Sequence, residues 1–348
     1  MGKPSAAADN RASSVIAVAS VLAILALVHL SLRAGASPEP EKLIGPDTCG
    51  ECHEKEVEAW KTTRHSLGFD DLHKNERAKE IQGKLGIRRL KTAEACIGCH
   101  YTMGTERGRL RAVAGVSCES CHGAARDWVK IHDDYGHGNT RATEPAEHRQ
   151  KRRADCETAG MSWPGQVSGL ATHCFECHIV TDPELVEKGG HPAASDFELV
   201  AWTQGEIRHN FFESDGKENR ESAPARKRRM FVVGQGLDLA ASLSALSKAK
   251  ADGEFASAML ARIEGARARL TEIGKLVTIP EIEEMLSSCA GITATSWKDG
   301  GADPICAASE AVRQAIDEFA GREDGSTLGA LDPLVPATGA YRGAPALR

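Results

Sequence analysis

The chain has 348 residues, among them 13 histidines and 11 cysteines; it carries a formal net charge of −6 and is only 5% aromatic. That charge argues against a nucleic-acid partner, and the local run Arg226-Lys227-Arg228-Arg229 reads as a solvated turn rather than a phosphate-binding patch. The aromatic content is thin for an ordinary core between residues 45 and 210, a stretch crowded with glycine, histidine and charge.

Lys3 and Arg11 precede an apolar run from Val15 to Leu32, which Arg33 closes. The run is long for the core of a signal peptide and just sufficient to span a bilayer. Ala34-Gly35-Ala36 nevertheless has the small-x-small pattern of a cleavage site. Two readings follow: residues 1–37 as an uncleaved membrane anchor, which is preferred, or a signal removed after Ala36. Both place the chain from residue 38 onward on the periplasmic side, with the basic end inside. Residues 38–45, which include Ser37's neighbours Pro38-Glu39-Pro40, form a short linker.

Four Cys-x-x-Cys-His motifs follow: Cys49/Cys52/His53, Cys96/Cys99/His100, Cys118/Cys121/His122 and Cys174/Cys177/His178. In this motif each thiol adds across a haem vinyl group and the adjacent histidine ligates the iron from one side. Paired C-x-x-C units could also hold zinc or act as dithiols, but neither chemistry needs a histidine after every pair. The expected cofactor is therefore haem c, four copies, covalently attached. Each macrocycle is a large apolar plate that side chains can pack around, which accounts for the thin aromatic content. Eight propionates would make the folded surface more acidic still. Eight cysteines are thereby used; in an oxidising compartment Cys289 and Cys306 could pair, which leaves Cys156 odd.

The haem region is expected to occupy residues 46–212, with short helices and loops between the motifs, such as Glu54 to Thr62 and Arg126 to His132. Residues 213–320 read as a helical extension. Leu239, Leu243 and Leu246 share one face; Met259, Ile263, Ala266, Leu270, Ile273 and Val277 recur in steps of four and three. Gly253 between the two runs predicts a helical hairpin. Pro280 stops its second helix and opens another, and Asp303-Pro304 opens a last one carrying Val312, Ile316 and Phe319. The extension either covers an exposed haem face or offers a docking surface. Residues 321–348, rich in Gly, Ala and Pro without period, are expected to be disordered. The fold class is thus mainly α: a multihaem cytochrome of short helices and loops around four haems, with a C-terminal helical hairpin or bundle.

Beyond the four motif histidines and His29, eight remain: His65, His73, His132, His137, His148, His173, His191 and His209. A surplus of this size suggests bis-histidine ligation. Met103 follows His100 too closely to reach the far side of the same haem, and Met161 stands alone. His173 is likewise barred from the haem of Cys174, although a neighbouring haem stays open to it. His137 is the rival of His132; His73 and His148 read as solvated.

The order of these residues resembles the tetrahaem cytochrome c-554 family over about residues 45–212. The resemblance rests on the first motif followed by Trp60 and His65, on Gly115-Val116-Ser117-Cys118-Glu119-Ser120-Cys121-His122-Gly123 with His132 ten residues later, and on the fourth motif. It implies His65 as distal ligand of the third haem, His132 of the first and His209 of the fourth. It also implies a second haem, that of Cys96 and Cys99, without a protein ligand on its far side. His191, in Gly189-Gly190-His191-Pro192, departs from the family pattern. It could fill that sixth position, replace His209, or be a surface turn residue.

Six-coordinate bis-His irons exchange electrons rather than bind substrate. The expected function is electron transfer between a redox-protein donor and acceptor, not catalysis. Two alternatives stand beside it: an enzyme acting on a small nitrogen compound at one open haem, or a haem subunit of a larger respiratory complex joined through the C-terminal helices.

Overall fold

The computed structural model describes residues 40–343. The expected anchor, Val15 to Leu32, lies outside the described residues. Among the described residues, no helix is long and apolar enough to cross a membrane.

The protein is mainly α-helical. Its first half is a string of short helices: α1 (Pro46–Gly50), α2 (Glu54–Lys61), α3 (Arg64–Asp71), α4 (Glu76–Leu85), α5 (Glu94–His100), then α6 (Cys118–His122), α7 (Ala146–Thr158), α8 (Val167–His178), α9 (Pro183–Glu187) and α10 (Leu199–Thr203). Local chemistry sets several of the boundaries. Thr63 and Asn75 cap α3 and α4 through their side chains, and Gly86 ends α4 in the left-handed conformation. Between α5 and α6 lies a hairpin absent from the sequence-based expectation, β1 (Thr102–Glu106) paired antiparallel with β2 (Arg109–Ala114). Its two-residue turn, Arg107-Gly108, has φ of 50° and 71°, as a type I′ turn requires. The predicted helix from Arg126 to His132 is instead a series of tight turns.

The second half is a bundle of four helices: α11 (Pro224–Leu246), α12 (Glu254–Leu276), α13 (Pro280–Ser288) and α14 (Ala302–Arg322). The central helix α11 packs on α12 and α14 and is buried nearly all round from Met230 to Leu246. Helix α12 turns the predicted seam inward: Met259, Ile263, Ala266, Leu270 and Ile273 are all buried. The expected boundary near residue 212 does not separate two cores. Val167, Ala171, Phe175 and Ile179 in and after α8 belong to the same apolar cluster as the bundle, because α8 packs on α11 and α14.

Three expectations are corrected here. The stretch from 321 onward is folded as far as 343: Leu328 and Leu331 are buried, and Tyr341 Oη donates to Glu221 at 2.9 Å. The basic run is not a solvated turn but the first turns of α11, and it fastens that tail. Arg228 holds Asp332 through two bonds of 2.6 and 2.8 Å, Lys227 bonds Tyr341 Oη at 3.1 Å, and Arg229 reaches the Ala320 carbonyl. Cys289 and Cys306 are both free; the first is buried in the bundle and the second exposed.

Candidate haem centres

Each motif sits on one turn of helix. Residues three and four apart share a helix face, so the two thiols and the histidine of Cys-x-x-Cys-His all project to one side. Helices α5, α6 and α8 end on His100, His122 and His178. In the first motif the turn runs on past α1, where the His53 amide donates to the Cys49 carbonyl at 2.9 Å. The motif helices touch in a fixed order: α1 on α6, α6 on α8, and α8 on α5.

Every motif histidine faces a second histidine. The ring centroids are 6.2 Å apart for His53 and His132, 6.2 Å for His178 and His65, 6.3 Å for His100 and His191, and 6.3 Å for His122 and His209. A metal bound to two imidazole nitrogens at about 2.0–2.1 Å each sets the centroids roughly 6 Å apart. The four gaps are therefore one metal atom wide. Among the described residues no group of three or more His, Cys, Asp or Glu side chains converges on a bare-metal site. Two axial nitrogens with no further protein donors suit a metal whose equatorial positions are filled by a porphyrin. The zinc reading of the cysteines finds no such support.

Five of the eight rings are anchored through Nδ1. Nδ1–H donates to the Ser162 carbonyl from His122 at 3.1 Å, to Val129 from His132 at 2.5 Å, to Pro192 from His191 at 2.8 Å and to Ile207 from His209 at 2.7 Å. His178 Nδ1 bonds Ser195 Oγ at 2.6 Å. A carbonyl bound to Nδ1–H leaves the Nε2 lone pair for a metal. Burial favours the neutral ring: it pushes His122 and His178 down to about 4, and lowers His65 and His100 as well.

His132 stands across from the first motif, as the resemblance implies. Two other pairings differ. His65 faces His178 of the fourth motif rather than His122, and His209 faces His122 rather than His178. The reason is that α6 and α8 lie side by side, so sequence spacing does not tell which of the two neighbours a distal ring meets. His191 faces His100, in the position expected to be open. His73 and His137 are exposed, and His173 bonds Glu176 at 3.3 Å. His148, expected to be solvated, is half-buried and bonds the buried carboxylate of Glu144 at 2.8 Å. Met103 lies in β1 against the Leu90–Tyr101 cluster.

Several residues support the centres in roles that the sequence does not announce. Glu119, inside the third motif, is 1% exposed and accepts from the amides of Ile44, Gly45 and Ala125 at 2.8–3.0 Å. It thereby ties α6 to the chain entering α1. Glu119→Ala strands the buried Ala125 amide and the half-buried amides of Ile44 and Gly45, and is expected to cost about 3 kcal/mol in chemical denaturation. Glu119→Gln, which keeps an acceptor, should recover part of the loss. Gly115 lets the backbone close on His65: a Cβ there would lie 2.1 Å from the His65 carbonyl oxygen. Phe197 stacks on His178 with centroids 4.3 Å apart. Arg152 donates to Glu144 at 2.7 and 2.8 Å and to the His132 carbonyl, and this guanidinium holds the Glu144 carboxyl down at about 2.

Residues 48–123 match the family model described as cytochrome c554 and c-prime. The chain is 28% identical over 146 residues to cytochrome c-554 of Nitrosomonas europaea, a match covering 39% of this chain and 57% of that protein. The chain thus spans a little over half the length of this curated relative. No solved structure matches it.

Proposed function

We propose that the haem-bearing region of this chain belongs to the cytochrome c-554 family and that the protein is a periplasmic electron carrier with four covalent haems, each ligated by two histidines. The match to that family supports the c-type cytochrome class and covalent haem c. The observation that carries the rest is the set of four histidine pairs at 6.2–6.3 Å. Haem c, when bound, supplies one-electron exchange at its iron.

The residues are assigned as follows. Cys49 and Cys52, Cys96 and Cys99, Cys118 and Cys121, and Cys174 and Cys177 form the thioether links. His53 with His132, His100 with His191, His122 with His209, and His178 with His65 would hold the four irons. The contacts α1–α6–α8–α5 support a line of sites in the motif order first, third, fourth, second. Two imidazoles hold a lower potential than a histidine–methionine pair. With His191 in place no iron is left open, which favours a carrier over an enzyme. The apolar run from Val15 to Leu32 takes the chain across the cytoplasmic membrane to where haem is attached, and holds it there unless cleaved after Ala36.

Intact mass after acid–acetone extraction is expected to show four added haems. EPR of the oxidised protein should show low-spin iron throughout. Any other haem count, or a stoichiometric high-spin signal, overturns the assignment.

A further inference from the structure

The second motif lies at one end of the proposed line, beneath an exposed basic face. Helix α5 carries Cys96 in a small cluster with Leu90 and Tyr101, against which Ala112 of the hairpin packs. The turn at Leu90–Thr92 touches β2. These contacts gather Arg88 and Arg89 with Arg107, Arg109 and Arg111 of the hairpin, all five exposed. Among the described residues none of the five guanidinium groups has a hydrogen-bond or ion-pair partner. Elsewhere in the chain arginines are committed, as in Arg141–Asp215 at 2.8 Å, Arg228–Asp332 at 2.6 Å and Arg322–Glu281 at 2.8 Å. Glu106 stands directly across the hairpin from Arg109, and Leu110, 55% exposed, lies on the opposite face of β2 from Arg109 and Arg111.

We infer that this face is a docking surface for an acidic redox protein, which exchanges electrons with the chain at the site of Cys96 and Cys99. Five arginines outweigh Glu106, the one acid of the hairpin; the excess positive charge repels itself in the isolated molecule, and a carboxylate-rich partner relieves that repulsion on contact. The other end of the line is richer in carboxylates: Cys52 is exposed in a stretch that carries Asp47, Glu51 and Glu54, with Glu58 paired to Lys55 at 3.1 Å. Donor and acceptor are thereby told apart by charge, because each end repels the partner of the other. The inference rests on the reading that the second motif holds a haem.

The test uses full-length holoprotein and reduced flavodoxin, a small acidic electron donor, at low ionic strength. Arg107→Glu/Arg109→Glu/Arg111→Glu is compared with wild type and with a control of equal charge change on the bundle, Lys248→Glu/Lys250→Glu/Lys275→Glu. The arginine variant is expected to be reduced about tenfold or more slowly, to lose most of its salt dependence, and to bind oxidised flavodoxin more weakly in titration calorimetry. The control should stay within about threefold of wild type. Equal rates in the arginine variant and wild type, or an equal fall in both variants, overturn the docking face. Because the chain enters the folded unit at Pro40–Lys42, which packs on β1, phosphatidylglycerol vesicles are tested too. Loss of vesicle binding without a change in reduction rate would assign the face to lipid and overturn the proposal. Haem content and the low-spin spectrum are measured on every variant; a haem missing at Cys96 in the wild type is a failure of the ligation reading itself.

Discussion

Fully reduced wild-type protein is expected to bind no carbon monoxide, and His191→Ala to bind one equivalent. The second centre decides this. The resemblance implies an open sixth position there, and an open ferrous haem binds carbon monoxide without competition. In this chain His191 stands opposite His100 with centroids 6.3 Å apart. It is also held in place. Its amide donates to the Leu185 carbonyl at 2.9 Å, Gly190 before it takes φ of +75°, and Arg77 donates to the Gly190 carbonyl at 3.2 Å. A ring so positioned is a preformed ligand, so the exogenous molecule must displace a strong imidazole. His73→Ala, an exposed residue, is the control and should bind none. Binding by the wild type at one haem would show that His191 does not ligate, and would restore the enzyme reading. Absence of binding in His191→Ala would mean that another side chain closes the site.

The second large effect is expected on removing the helical bundle. Truncation after residue 225 should yield a protein that is poorly soluble or lacks normal ligation at the fourth and third sites, rather than an intact haem domain. Helix α8, which carries Cys174, Cys177 and His178, buries Val167, Ala171 and Phe175 against α11 and α14. Phe175→Ala alone is expected to cost about 3–5 kcal/mol, and truncation strips the partner surface from all three. It also takes away Arg262, which donates to the Ser195 carbonyl at 3.0 Å beside the His178 bond. The folded tail goes with it. There the Arg342 carbonyl accepts from the Glu206 amide at 2.8 Å, and the Arg342 amide donates to Ala201 at 3.0 Å. Glu206 in turn accepts from the Arg64 amide, next to His65, at 2.5 Å. The readouts are soluble yield, haem mass and the EPR spin state. A soluble truncated protein with four low-spin haems would separate the bundle from the centres and refute the shared core.

The sequence alone determined what is local. Four Cys-x-x-Cys-His motifs name the cofactor because covalent attachment demands residues at fixed spacing within one helical turn, which one short stretch contains entirely. The seam from Met259 to Ile273 likewise predicts a buried helix face, since the periodicity is a property of the helix itself. The hairpin of β1 and β2 was missed because its period-two pattern is short and its turn uses Arg107 at positive φ, where glycine or asparagine would have announced it. Only the tertiary structure decided which second histidine faces which motif. His65 and His209 change partners because α6 and α8 lie side by side, and His191 meets His100 through a turn more than ninety positions away along the chain. Glu119, the basic run at Arg226–Arg229 and the tail at Leu328–Tyr341 belong to the same class. None of these roles shows in one dimension, and each comes from groups far along the chain, whose approach is set by packing rather than by spacing.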